Sequence, residues 1–151
     1  MEVKMPTLVK ISDIMTKDVF TVNIDDTIHK ADEIMRDENI RQVPVVDGKK
    51  FVGLITERTL MEYSLRRLYD FEDEFGEIGY NKINDFKKVM TTDVYLIYPE
   101  DSIKKAIELM IKKKVDCLPV VDWENNLVGI VTYYDMLLYV NKILNEQLSK
   151  S

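Results

Sequence analysis

Among the polar residues of this chain, the run Gly129-Ile130-Val131-Thr132-Tyr133-Tyr134-Asp135 carries the most pointed chemistry. A hydroxyl and a carboxylate three residues apart follow an apolar strand-like stretch and fall in the first turn of a helix. There the carboxylate can accept from two neighbouring hydroxyls of a ligand, each charge-assisted bond contributing roughly 1.5–3 kcal/mol. The helix start beside it offers unpaired amides and a positive dipole end, which favour a phosphate. A plainer reading uses the same residues: Thr132 is an N-cap, and Asp135 complements the helix dipole.

Other candidates for chemistry fall away. Cys117 lies in a strand-like apolar run and reads as a small core hydrophobe, and as the single cysteine it excludes an intramolecular disulfide and a cysteine-based metal cluster. His29 sits on the polar side of a helix without a serine or cysteine partner in matching context. Asp25 and Asp26 read as helix caps, not as a general acid–base pair. Neither a Walker loop, a dinucleotide fingerprint, zinc spacing nor a nucleophile elbow occurs, so catalysis, a metal and an obligatory cofactor are not expected.

Composition narrows the class further. The net charge is −6 with the two signs interspersed, which argues against a nucleic-acid partner. Lys112-Lys113-Lys114 reads as a solvated helix end, where cations complement exposed carbonyls. No apolar run is long enough to cross a membrane, and Met1-Glu2-Val3-Lys4-Met5-Pro6 lacks a secretory stretch, so a cytoplasmic address is expected. Richness in Lys, Glu and Ile, with Gln42 and Gln147 the only glutamines, leans toward a thermophilic source.

The elements that must position Asp135 occur twice. Met15-Thr16-Lys17-Asp18-Val19 returns as Met90-Thr91-Thr92-Asp93-Val94, and Pro44-Val45-Val46-Asp47 returns as Pro119-Val120-Val121-Asp122. Pairing residues 14–47 with 89–122 gives 14 identities in 34 positions. Each copy reads β-α-β-β-α: strands over 19–22 and 94–97, then helices that begin after Asp25-Asp26-Thr27 and Glu100-Asp101-Ser102. Apolar periodicity marks those helices at Ile28, Ala31, Ile34 and Met35, and at Ile103, Ala106, Ile107, Met110 and Ile111. Continuous apolar strands follow at 43–46 and 118–121, expected to be buried on both faces. After a turn come strands 51–55 and 127–131, then helices starting near Thr56 and Thr132. The first closing helix carries Leu60, Met61, Leu65 and Leu68 and runs into an acidic, aromatic connector. The last helix carries Met136, Leu137, Val140, Leu144 and Leu148.

The Met-Thr-x-Asp-Val openings, the Pro-Val-Val-Asp strands and the Gly129–Asp135 segment, in order and twice over, resemble the cystathionine β-synthase (CBS) domain in tandem. The resemblance covers residues 11–64 and 83–141, with 65–82 as helix extension and connector and 142–151 as helix end and tail. It implies an α/β (α+β) chain of two β-α-β-β-α units packed sheet to sheet with pseudo-twofold symmetry. It also implies two clefts for an adenosine-containing regulatory ligand (AMP, ADP, ATP or S-adenosylmethionine), in which Thr132 reaches ribose or phosphate and Asp135 takes the ribose hydroxyls.

In the resembling family each cleft joins the Thr-x-x-Asp segment of one copy to a wall from the other. One cleft would then combine Thr132, Tyr133, Tyr134 and Asp135 with Thr16, Val19, Phe20, Ile40, Arg41, Gln42 and Pro44. The other would combine Thr56, Arg58 and Thr59 with Thr91, Val94, Tyr95, Val115, Asp116, Cys117 and Pro119. Thr59 replaces the acidic residue, and Asp116 stands where the first copy has Arg41. Both substitutions predict an intact cleft at Asp135 and a weak one at Thr59. A sensor of adenine nucleotides is the expected function, with a homodimer and a regulated protein as partners. An S-adenosylmethionine sensor and a ligand-free dimerisation subunit are the alternatives.

Overall fold

In the computed structural model, which describes residues 9–69, 86 and 88–150, the elements in chain order are α1 (Ile11–Ile14), β1 (Val22–Asn23), α2 (Ile28–Asp37), β2 (Gln42–Asp47), β3 (Lys50–Thr56), α3 (Glu57–Tyr69), α4 (Ile103–Lys113), β4 (Cys117–Val121), β5 (Leu127–Thr132) and α5 (Tyr133–Ser149). This is a mixed α+β chain in which two compact units can be separated. One is Phe20–Val94; the other joins Met1–Val19 to Tyr95–Ser151.

In the Phe20–Val94 unit, β1 pairs parallel to β2, and β2 pairs antiparallel to β3, with Pro44 opposite Leu54. The hairpin between Asp47 and Lys50 turns at Gly48, whose φ of +64° suits a residue without Cβ. Helix α2 begins where Thr27 Oγ1 accepts from Lys30 N at 3.3 Å, one of the orphan amides of a helix start. Ala31 and Met35, four apart, share the inward face and pack with Val22, Val43, Val45, Ile55, Phe86 and Val89. Phe86 is fully buried, worth roughly 1.5–3 kcal/mol of apolar transfer.

In the unit formed by Met1–Val19 and Tyr95–Ser151, β4 and β5 form the matching hairpin, with Pro119 opposite Ile130. Ile97 makes a single parallel bridge to Val120, the place that β1 takes beside Val45 in the other unit. Ser102 Oγ accepts from Lys105 N at 3.1 Å and starts α4, which buries Ile103, Ala106 and Met110. Ile11 of α1 is fully buried in the same core as Leu118, Val120, Val131 and Met136.

The compact units regroup the sequence repeat. Thr16, which opens the first copy, pairs with Ile130 of the second copy's strand through two backbone bonds of 2.9 and 3.0 Å. Thr91, which opens the second copy, pairs with Leu54 of the first at 2.8 and 2.9 Å. Each opening segment thereby occupies the free edge of a two-strand hairpin, whose unpaired amides and carbonyls need partners.

Several sequence expectations are corrected. The strands expected over 19–22 and 94–97 shrink to Val22–Asn23 and to the bridge at Ile97. Both segments contain a boundary between the compact units, so only their ends pair within one sheet. The apolar runs 43–46 and 118–121 are buried as expected, within antiparallel hairpins. On α5, Met136 and Ile143 are buried, while Leu137, Val140, Leu144 and Leu148 are exposed. On α3, Leu60 packs against the core while Met61 and Leu65 are exposed; the connector at 70–82 and the side chain of Leu68 lie outside the described residues.

Candidate functional site

Two glycines fix the backbone on which the site stands. A Cβ built on Gly129 would sit 2.6 Å from Met15 Sδ and 3.1 Å from Thr16 O. On Gly53 it would sit 2.7 Å from Met90 Sδ and 3.2 Å from Thr91 O. The Met-Thr openings and the Gly-x-x-Thr segments are thus halves of one contact, made once in each unit. The sequence displayed both halves twice, at nearly the same spacing, and the residues alone did not say that they touch.

That contact sets Thr16 beside Asp135. Thr16 Oγ1 donates to Asp135 Oδ1 at 2.9 Å, across 119 residues of chain. Asp135 Oδ2 accepts from Thr132 N at 2.9 Å and from Thr132 Oγ1 at 3.3 Å, while Asp135 N donates to Thr132 Oγ1 at 3.5 Å. These reciprocal bonds form a capping box at the start of α5. Tyr133 N donates to Asp116 O at 3.1 Å, so a further amide of this turn is spoken for. Asp135 is 8% exposed, the buried charged residue among the described ones. The cap reading therefore holds in the geometry, and the helix start offers a phosphate fewer free amides than the sequence suggested.

The corresponding turn of the Phe20–Val94 unit closes on itself. Thr59 Oγ1 accepts from Thr56 N at 3.0 Å and donates to Thr56 O at 3.0 Å, and Thr59 N donates to Thr56 Oγ1 at 3.1 Å. Glu57 N donates to Arg41 O at 2.9 Å, the twin of the Tyr133–Asp116 bond. The Arg41 guanidinium lies 3.9 Å from Glu57 Oε2, both side chains exposed, a pair that adds little stability. Arg58 bonds Glu62 at 3.2 Å along α3.

Of the residues expected at the Asp135 cleft, Thr16, Val19, Thr132, Tyr133, Tyr134 and Asp135 belong to one unit; Phe20, Ile40, Arg41, Gln42 and Pro44 belong to the other. Of those expected at the Thr59 cleft, Thr56, Arg58, Thr59, Thr91 and Val94 share a unit, and Tyr95, Val115, Asp116, Cys117 and Pro119 share the other. Within their units the structure brings Thr16 and Thr132 onto Asp135, and Thr56 onto Thr59. Tyr133 and Tyr134 are exposed, as is Phe20. Lys113 Nζ lies 5.1 Å above the Tyr95 ring.

Cys117 is buried, and desolvation first, then the neighbouring Asp116 charge, pushes its thiol up to about 12, which fits a core hydrophobe and not a nucleophile. His29 pairs with Glu33 at 3.2 Å on the exposed face of α2. Among the described residues no group of three or more His, Cys, Asp or Glu could hold a metal ion, and no helix is long and apolar enough to cross a membrane. A groove of about 450 Å³ runs between α1 and α5, lined by Asp13, Ile14, Tyr139, Lys142 and Glu146 among others, with Asp135 on its wall.

Comparison with known proteins meets this geometry. The family model described as CBS domain matches twice, over residues 11–66 and 85–142. The chain is 37% identical over 129 residues to an inosine-5'-monophosphate dehydrogenase of Methanocaldococcus jannaschii, covering 85% of this chain but only 23% of that enzyme. It is 34% identical to the CBS domain-containing protein YhcV of Bacillus subtilis, covering 90% of this chain and 87% of YhcV. Among solved structures, the CBS domain pair of protein MJ0100, in complex with 5'-methylthioadenosine and S-adenosyl-L-methionine, superposes with a TM-score of 0.72 at 26% identity. That match covers 91% of this chain and 99% of the other. With both halves matched and the exchanged Met-Thr and Gly-x-x-Thr contacts formed twice, the chain belongs to the CBS domain family, as a tandem pair.

Proposed function

We propose that this chain is a regulatory module that binds an adenosine-containing ligand (AMP, ADP or ATP) at the Asp135 site and signals the bound state to a partner protein. The observation that carries the reading is the buried carboxylate of Asp135, a two-oxygen acceptor at the start of α5 for which the other copy has only the Thr59 hydroxyl. A carboxylate can take both hydroxyls of a ribose, whereas Thr59 is saturated by its own turn. Thr132 and Thr16 flank that acceptor, with Tyr133 and Tyr134 exposed beside it as surfaces for a base or sugar. The dehydrogenase match spans a small part of that enzyme, while YhcV is matched over nearly its whole length, which favours a regulatory part over a catalytic one.

S-adenosylmethionine is the second reading, favoured by the ligands of the MJ0100 pair. The exposed apolar residues of α5, Leu137, Val140, Leu144 and Leu148, support a homodimer through that helix. Titration calorimetry with AMP, ATP and S-adenosylmethionine decides among these. Asp135→Asn is expected to weaken the bound ligand about ten- to a hundredfold, and Thr59→Asp to create or strengthen a second site. Silence with all three ligands leaves a dimerisation subunit; equal binding by the wild type and both variants defeats the asymmetry.

A further inference from the structure

We propose that Thr16 sets the affinity of the Asp135 site for a vicinal diol, its hydroxyl holding one carboxylate oxygen until a ligand hydroxyl takes its place; this rests on the adenosine-ligand reading above. A carboxylate offers about four lone-pair directions. Three are engaged: two at Oδ2 by Thr132 N and Oγ1, and one at Oδ1 by Thr16 Oγ1. One direction remains at Oδ1, and a ribose brings two hydroxyls. The second can bind only by displacing a donor already present.

The three resident donors are not equally replaceable. Thr132 N belongs to the capping box, so its loss opens the start of α5, and Thr132 Oγ1 is held beside the carboxylate as the acceptor of Asp135 N. Thr16 Oγ1 belongs to no cap. Its backbone N–H and C=O are both paired with Ile130, so its side chain can rotate about χ1 without breaking the bridge. Thr16 is also an exposed residue, so its released hydroxyl finds water. A neutral hydroxyl is then exchanged for another neutral hydroxyl on the same charged acceptor, and the resident bond is subtracted from the ligand's gain. Thr91 makes the same backbone pairing with Leu54, but there Thr59 stands where the other unit has Asp135 and bonds within its own turn, so that position has no carboxylate to share.

The test compares AMP with its 2',3'-dideoxy analogue by calorimetry on the full chain. Thr16→Val removes the competing donor and keeps the β-branched shape; AMP affinity is expected to rise about three- to tenfold. The dideoxy analogue cannot use the freed oxygen, so its affinity is expected to stay within about twofold. Thr16→Ser keeps the hydroxyl and is expected to match the wild type, and Thr16→Ala stands in if valine disturbs folding. Weaker AMP binding by the Val or Ala variant, no change, or an equal rise for both ligands overturns the exchange. A wild type that binds no adenosine ligand overturns the proposed function itself, whereas a binding wild type with unmoved variants overturns the exchange alone.

Discussion

The turns at Thr132–Asp135 and Thr56–Thr59 each begin on a threonine that bonds the residue three places on, and that residue is a carboxylate in one and a hydroxyl in the other. Thr59 can donate and accept, so it closes its hydrogen bonds within its own turn. A carboxylate accepts and does not donate, so at Asp135 the turn engages one oxygen, and Thr16 supplies a donor to the other from 119 residues away. A hydroxyl makes the turn self-sufficient. A carboxylate makes it dependent on a distant partner, and that dependence is what a ligand can exploit.

The comparison is sharpened first where the turns should agree. Gly129→Ala and Gly53→Ala each drive a methyl into a methionine sulfur and a backbone carbonyl, and each is expected to lose about 1–3 kcal/mol in urea unfolding. A loss at one position alone would break the equivalence of the two sheet-edge contacts. Next comes the position where the turns should differ. Asp135→Ala removes the carboxylate half of the capping box and the acceptor of the Thr16 hydroxyl, an expected loss of about 1–2 kcal/mol, whereas Thr59→Ala loses about 0.5–1 kcal/mol. Equal losses would mean that the Thr16 bond adds nothing. The smallest effect belongs to Tyr139, whose buried hydroxyl lacks a partner among the described residues. Tyr139→Phe is expected to leave the melting temperature unchanged or raise it slightly, since an unsatisfied hydroxyl is removed. A fall of several degrees would reveal a bond to Tyr139.

Much of the fold was legible because its signals are local. Thr27 and Ser102 cap the helices that their positions announced, and Ala31, Met35, Ala106 and Met110 face inward as their spacing requires. The apolar runs 43–46 and 118–121 are buried for the same reason. At the candidate site, Thr132 and Asp135 were legible as a pair because a capping box spans four residues. Thr16 was set beside them only by the family resemblance, and its direct bond to Asp135 was not legible in the residues: it depends on which sheet edge an opening segment joins, and a two-residue pairing leaves no periodic trace. The shortened strands at Val22–Asn23 and Ile97 escaped for a related reason, since β-prone residues mark where a strand can form but not where its neighbour ends.

Residue identity and short-range spacing alone carried the duplication, the helix–strand–strand–helix order of each copy and the Thr59 that stands in the place of Asp135. Only the tertiary structure decided that Met15 and Thr16 serve the second copy's strand while Met90 and Thr91 serve the first's. Backbone pairing offers the same donors and acceptors at both edges, and what distinguishes them is the core each opening segment packs against, Met15 on the cluster with Ile11 and Met90 on the cluster with Phe86.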